Sequence, residues 1–203
     1  MLVRFERDGF MITASSLAQI ISILWLASEI FLSLLRRAKN KSKDLDKSNS
    51  LILWMINILS ISIGINIAVK SGSSGIGSFS IGYPLTSYIG LLLIIAGIAV
   101  RWTAILTLGR QFTTTLAIVE NHKIIDRGIY KAIRHPSYTG CLMSFLGLSM
   151  TFSNWITVIV IFVPILLGYL YRISIEEKLL MNHFGEEYRI YARRTQRLIP
   201  KIY

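Results

Sequence analysis

The chain has 203 residues, 53% of them hydrophobic and only 16% charged, where a soluble domain carries about 25% charged residues. That deficit, together with long apolar runs, excludes an ordinary soluble globule and points to an integral membrane protein. The formal net charge of +11 does not signal nucleic-acid binding, because the basic residues sit in blocks beside apolar runs, as membrane topology requires.

The first apolar run covers about 11–35, and its core ILWLASEIFLSLL is long enough to cross ~30 Å of hydrocarbon. It lacks an obvious small-residue cleavage site and reads as a span, not a signal peptide. Glu29 lies inside it. An acid there is either functional or a protonated, hydrogen-bonded helix contact. Arg36, Arg37, Lys39, Lys41, Lys43 and Lys47 follow, with Asp44 and Asp46. The second span covers about 51–69. Ser60, Gly64 and Ala68 repeat on it every four residues, a spacing that lets helices approach closely. The glycine- and serine-rich stretch 71–78 reads as a flexible external loop. Gly75-x-Gly77 is not followed by a third glycine at the place a dinucleotide loop needs, and no βαβ pattern surrounds it.

The third span, about 85–108, is preceded by Pro84. A polar connector, roughly 109–135, carries Arg110, Lys123, Arg127, Lys131 and Arg134. Apolar segments 137–152 and 155–171 read as a helical hairpin turning at Ser153-Asn154. The first of these is short for a straight span at about 1.5 Å per residue. From Arg172 the tail is amphipathic and basic. The fold class is therefore all-α: an integral membrane bundle of about five transmembrane helices, with a connector and an amphipathic C-terminal helix forming a pocket. Residues 1–84 form an N-terminal part with helices 1 and 2 and the external loop. Residues 85–203 hold helices 3 to 5, the connector and the C-terminal tail. The basic loop 36–47, the connector and the tail share one side, which the positive-inside rule makes cytoplasmic, with the N-terminus outside.

Chemistry concentrates in the last third. One cysteine, Cys141, excludes an intrachain disulfide and a cysteine-based metal cluster. His122, His135 and His183 show no metal-ligand spacing, so no metal is expected. His122, Tyr130, Arg134, His135 and Tyr138 fall in or next to the connector. Pro136 suits the first turn of the following helix, whose exposed N–H groups would attract an anion. Arg172 and Glu176 are four apart and share a helix face. By themselves they read equally as a solvent-facing ion pair worth a few tenths of a kcal/mol, or as an arginine snorkelling at a span end. The hairpin brings 135–138 and 172–176 to one membrane face, which favours a pocket. Tyr188, Tyr191, Arg193, Arg194 and Arg197 form a basic, aromatic surface that is either an interfacial anchor or a lid.

These residues resemble the isoprenylcysteine carboxyl methyltransferase family. The matching stretch is His122-Lys123-Ile124-Ile125, Gly128-Ile129-Tyr130, Arg134-His135-Pro136-Ser137-Tyr138-Thr139-Gly140, Arg172, Glu176-Glu177, Phe184-Gly185-Glu186-Glu187-Tyr188, Tyr191, Arg194 and Ile199-Pro200. It covers about 100–203 and looks like the compact prokaryotic members. The resemblance implies S-adenosylmethionine as methyl donor, leaving S-adenosylhomocysteine, held without a Rossmann domain. It implies cofactor contacts at His122, Lys123, Ile124, Ile125, Tyr130, His135, Pro136, Ser137, Tyr138 and Glu176. It implies acceptor contacts at Arg172 and Arg194, with Arg172 and Glu176 as the catalytic pair. Thr115 departs from a glutamine of the eukaryotic pattern, and Thr195-Gln196 from its Val-Pro.

The acceptor implied is a membrane-embedded lipid or lipidated carboxylate such as a C-terminal prenylcysteine. The membrane is the cell membrane in a prokaryote or the endoplasmic reticulum in a eukaryote. A carboxylate, with an ordinary pKa of about 3.5, needs no general base; the work is positioning. The alternatives are a phospholipid N-methyltransferase, where an amine nucleophile would make Arg172 out of place, a membrane reductase with a related helical pocket, and a non-enzymatic assembly protein.

Overall fold

The computed structural model describes residues 14–35, 43–71, 75–79, 83–116, 118 and 122–200. It contains six α-helices: α1 (Ala14–Leu35), α2 (Lys43–Ser71), α3 (Tyr83–Leu108), α4 (Pro136–Met150), α5 (Trp155–Phe184) and α6 (Glu186–Arg194). Two single 3₁₀ turns, Gly109–Gln111 and Gly128–Lys131, punctuate the connector. Among the described residues there is no named strand; two isolated bridges, Ser78 with Asn154 and Ile133 with Gln196, stand alone. The all-helical expectation holds.

Among the described residues, three helical stretches are long and apolar enough to cross a membrane: Asn49–Ser71, Leu85–Gln111 and Trp155–Phe184. The apolar part of α1, Ile20–Leu32, is shorter. Helix α4 has only 15 residues, about 22 Å at the helical rise. It is also mostly buried, with Cys141, Ser144, Phe145 and Ser149 inside the bundle. The charged arms at residues 36–42 and before residue 14 lie outside the described residues.

Helices α3 and α4 form the tightest contact. Gly90 and Gly97 on α3 face Gly147 and Gly140 on α4, each pair seven residues apart. A Cβ at Gly97 would sit 2.6 Å from the Gly140 carbonyl oxygen, and one at Gly147 would sit 2.5 Å from that of Gly90. Only glycine allows two backbones so close, and lipid offers little hydrophobic drive to bring helices together by other means. Gly64, within the small-residue repeat of α2, instead makes room for the Ile161 side chain of α5.

The reading that a tail begins at Arg172 needs correction. Helix α5 runs unbroken to Phe184. Polar residues end the apolar run at 171, but nothing there breaks a helix. The break comes at Gly185, whose φ of +56° favours glycine. The loop segment 75–79 also differs from a free one. Trp155 N–H donates to the Gly77 carbonyl at 2.8 Å, and Phe79 N–H to that of Ser153 at 3.1 Å. Asn154 caps α5 by accepting from Thr157 N–H at 3.1 Å and donates to the Ile76 carbonyl at 2.8 Å. Residues 75–79 are thus pinned to the α4–α5 turn.

Gly140→Val should separate α3 from α4 and lower stability by about 1–3 kcal/mol, the usual range for overpacking. Ala96→Leu, on the exposed side of α3, should change little. Thermal unfolding of both variants in detergent checks this; equal midpoints would mean the α3–α4 contact tolerates a side chain.

Candidate active site

A cavity of about 620 Å³ opens at the end of the bundle opposite the pinned loop. Its walls differ in chemistry. Helices α1 and α2 contribute an apolar lobe with Trp25, Leu26, Ile30, Trp54, Ile58 and Ile61. The connector, the start of α4, α5 and α6 contribute a polar lobe. Of the residues expected from the sequence, His122, Lys123, Ile124, Ile125, Tyr130, His135, Ser137, Tyr138, Arg172 and Glu176 all line the cavity. Pro136 does not. It is fully buried at the first turn of α4, where its missing N–H is harmless. Arg194 does not either. It is exposed, pairs with Asp126, and lies 5.9 Å from the ring centre of Tyr191.

Arg172 stands where the lobes meet. It is 7% exposed. Its Nε donates to the Tyr138 hydroxyl at 3.0 Å, Nη1 to Ser50 Oγ at 3.2 Å, and Nη2 to the Thr114 carbonyl at 2.7 Å. Those partners belong to α4, α2 and the connector. Tyr138 in turn donates to Glu176 Oε2 at 2.5 Å. One phenol therefore receives from Arg172 and donates to Glu176. The other Glu176 oxygen is 3.9 Å from His135 Nδ1, and the Tyr138 ring stacks on His135 at 5.7 Å.

The connector and tail close the polar lobe. Burial pushes the Tyr130 phenol well above its ordinary pKa, and the Glu176 charge adds to this, so Tyr130 stays a protonated donor. Burial, then the charge of Asp126, pushes Tyr191 up to about 12. Its hydroxyl donates to the Tyr130 carbonyl at 2.9 Å. Burial and neighbouring His183 push His122 below the usual imidazole range, which keeps it neutral near pH 7. The buried Tyr188 hydroxyl has no hydrogen-bond partner among the described residues, and Tyr188 lines the cavity.

Glu177 fastens this wall. It accepts from Arg134 Nε at 2.8 Å and from Arg197 Nε at 2.9 Å, and lies 3.4 Å from His135 Nε2. Beside it, Arg134 N–H donates to the Gln196 carbonyl at 2.7 Å and His135 N–H to that of Arg197 at 3.0 Å. Thr139 Oγ1 donates to the Leu198 carbonyl at 2.8 Å. The chain after α6 is thereby laid along 132–139, behind Arg134, His135 and Tyr138, which line the cavity.

Sequence reasoning missed Ser50 and Thr114, which no motif marks, and Arg101. Arg101 had a usable signal: it is a cation in one apolar run, with Glu29 an anion in another. They form a bidentate ion pair. Both residues line the cavity.

Comparison with known proteins bears out the sequence resemblance. Residues 89–182 match the sequence model of the isoprenylcysteine carboxyl methyltransferase (ICMT) family. The chain is 39% identical over 118 residues to protein-S-isoprenylcysteine O-methyltransferase B of Arabidopsis thaliana, covering 57% of this chain and 60% of the relative. It is 34% identical over 122 residues to a probable protein-S-isoprenylcysteine O-methyltransferase of Oryza sativa subsp. japonica, covering 59% and 64%. Against the protein-S-isoprenylcysteine O-methyltransferase of Saccharomyces cerevisiae the figures are 30% over 127 residues, 62% and 53%. The matched region thus spans less than two thirds of these curated relatives. The solved structure of the eukaryotic intramembrane Ras methyltransferase ICMT superposes with a TM-score of 0.65, over 94% of this chain and 67% of that one, at 23% identity. That likeness shows a shared helical membrane-protein fold.

Glu177→Gln keeps the size of the side chain but removes the charge that Arg134 and Arg197 share. Breaking a largely buried ion pair should cost about 3 kcal/mol, lower the unfolding midpoint and speed proteolysis beyond α5. An unchanged midpoint and digestion pattern would mean the backbone pairing of 132–135 with 195–198 suffices alone.

Proposed function

We propose that this chain is an integral membrane methyltransferase that transfers a methyl group from S-adenosylmethionine to the carboxylate of a lipid-like acceptor such as a C-terminal prenylcysteine. The observation that carries the reading is the Arg172–Tyr138–Glu176 chain at the junction of an apolar and a polar lobe. The names of the relatives agree with it. The family match covers 89–182, whereas α1 and α2, which wall the apolar lobe, lie before it. The acceptor is accordingly the more open half of the proposal.

The polar lobe fits the donor. It has a carboxylate at Glu176, phenols at Tyr130 and Tyr138, and an unsatisfied hydroxyl on Tyr188. An orphaned buried hydroxyl is costly unless a ligand or water meets it. When bound, the donor supplies a methyl group already activated on a sulfonium sulfur. The protein's share is orientation. The planar guanidinium of Arg172 can grip an acceptor carboxylate by two N–H groups while one oxygen stays available for attack. Tyr138 fixes the Arg172 head relative to Glu176, so the acceptor and donor sites share one rigid reference. Holding two reactants in near-attack geometry is worth about 7–11 kcal/mol. No general base is needed for an acid already ionised at neutral pH.

A phospholipid amine acceptor is disfavoured by the same feature, because a guanidinium would repel an ammonium and its N–H groups would occupy the single lone pair that a free amine needs for attack. The proposed topology has five crossings, an external N-terminus and a cytoplasmic cavity mouth. It is supported by the basic residues Arg110, Lys123, Arg127 and Lys131 at the cavity end and by the absence of charge in the pinned 75–79 segment. Residues 1–84 supply the acceptor side and residues 85–203 the methyltransferase core.

A methyl-transfer assay across prenylcysteine, fatty acid and phosphatidylethanolamine tests the reaction. Arg172→Ala should reduce transfer to the carboxylate acceptor by ~10–100-fold, the worth of a charge-assisted hydrogen bond, with S-adenosylhomocysteine affinity nearly unchanged. Arg172→Lys should rescue it only in part. Glu176→Ala should instead weaken S-adenosylhomocysteine binding in calorimetry. Wild-type turnover in Arg172→Ala would sink the mechanism. For topology, a cysteine introduced at position 75 should react with an impermeant thiol reagent added outside intact cells; protection there would reverse the orientation.

A further inference from the structure

The proposed reaction leaves the buried pair of α1 and α3 unused. Arg101 is 7% exposed, inside an apolar run, and both oxygens of Glu29 accept from its Nε and Nη2. A tether between two helices would need no more than this. The third nitrogen goes elsewhere: Nη1 donates to Ser137 Oγ at 2.6 Å and to the Ser137 carbonyl at 3.2 Å. Ser137 is the second residue of α4, between His135 and Tyr138. The guanidinium also lies 5.8 Å from the ring centre of Phe112, where the connector begins. A Cβ on Gly140 would meet Arg101 N at 2.6 Å, so the start of α4 is seated directly on the α3 turn that carries this arginine.

We propose that Arg101, oriented by Glu29, is a positioning residue that sets the first turn of α4 and thereby the His135 and Tyr138 side chains. The inference rests on the functional reading above, since it assigns the 135–138 turn to the donor site. Its physical basis is the shape of the guanidinium. A rigid planar fork can serve a carboxylate with one edge and a backbone carbonyl with the other. Glu29 matters because an arginine buried without its counter-charge would be strongly disfavoured. A shifted α4 start moves His135 and Tyr138 and with them the Glu176 contact, whereas Arg172 keeps anchors outside α4 at Ser50 and Thr114, so the loss falls on donor affinity and kcat more than on acceptor KM.

Three variants test this. Arg101→Lys keeps the charge beside Glu29 but lacks the fork; S-adenosylhomocysteine affinity and kcat should fall by about tenfold or more with acceptor KM little changed. The exchange Glu29→Arg with Arg101→Glu restores an ion pair but turns an acceptor-only carboxylate toward the Ser137 carbonyl. Thermal stability should recover while affinity and kcat stay low. Parent-like affinity and kcat in either variant would reduce the pair to a helix tether and overturn the proposal. Should the exchange not fold, Ser137→Ala decides: combined with Arg101→Lys it should be no worse than the more damaging single change, because both act on one contact. Additive losses would overturn the inference. A parent protein that binds no S-adenosylhomocysteine would instead overturn the methyltransferase reading itself, and these two failures are distinct.

Discussion

The close approach of α3 and α4 governs the site. Gly90, Gly97, Gly140 and Gly147 bring the two backbones into direct contact, with Ser144 and Thr151 packed beside them, so the backbones set the spacing. In a bilayer, where lipid is as apolar as leucine, such van der Waals contact is a main source of helix association. The seam has a chemical consequence at its cavity end. It delivers Arg101 to the first turn of α4 and places the short α4 where its N-terminus floors the cavity. A wider seam would leave Arg101 beyond reach of Ser137.

From that floor, polar contacts radiate with little redundancy. Tyr138 joins Arg172 to Glu176. Arg172 reaches α2 through Ser50 and the connector through Thr114. Glu177, one residue along α5, faces the tail and gathers Arg134 and Arg197. Successive glutamates on α5 therefore serve different purposes. Glu176 looks into the cavity, and Glu177 holds the wall that closes it. Behind the lining residues Arg134 and His135, a short stretch of chain, 195–198, pairs with 132–135, a strand-like contact among otherwise helical elements of the described residues. It satisfies backbone groups that no helix pairs there.

The two ends of the bundle are unequal in chemistry, and this fits the proposed function. The far end is closed by neutral hydrogen bonds that Trp155, Phe79 and Asn154 donate to the carbonyls of Gly77, Ser153 and Ile76. The near end carries the cavity and the cations. A reaction between a water-soluble donor and a lipid acceptor calls for a site that meets both phases. The apolar lobe between α1 and α2 and the polar lobe under the connector and α6 supply the two sides, and Arg172 stands at their boundary.

The sequence alone determined what depends on near neighbours. Apolar run lengths marked the membrane helices. The four-residue spacing put Arg172 and Glu176 on one face. Pro136 marked the start of α4. The cavity-lining residues from His122 to Tyr138 were legible because they cluster in one stretch of chain. What lay beyond was decided by tertiary structure. Glu29 and Arg101 are 72 residues apart, and Arg172 and Ser50 are 122 apart. No periodicity links such positions; helix packing alone brings them within reach. Polarity also misled where the helix and the apolar run ended at different places, because Arg172 through Phe184 are polar in part yet carry no helix breaker. A helix continues while its backbone permits, whereas a membrane run stops where its side chains change, and only the folded chain separates the two.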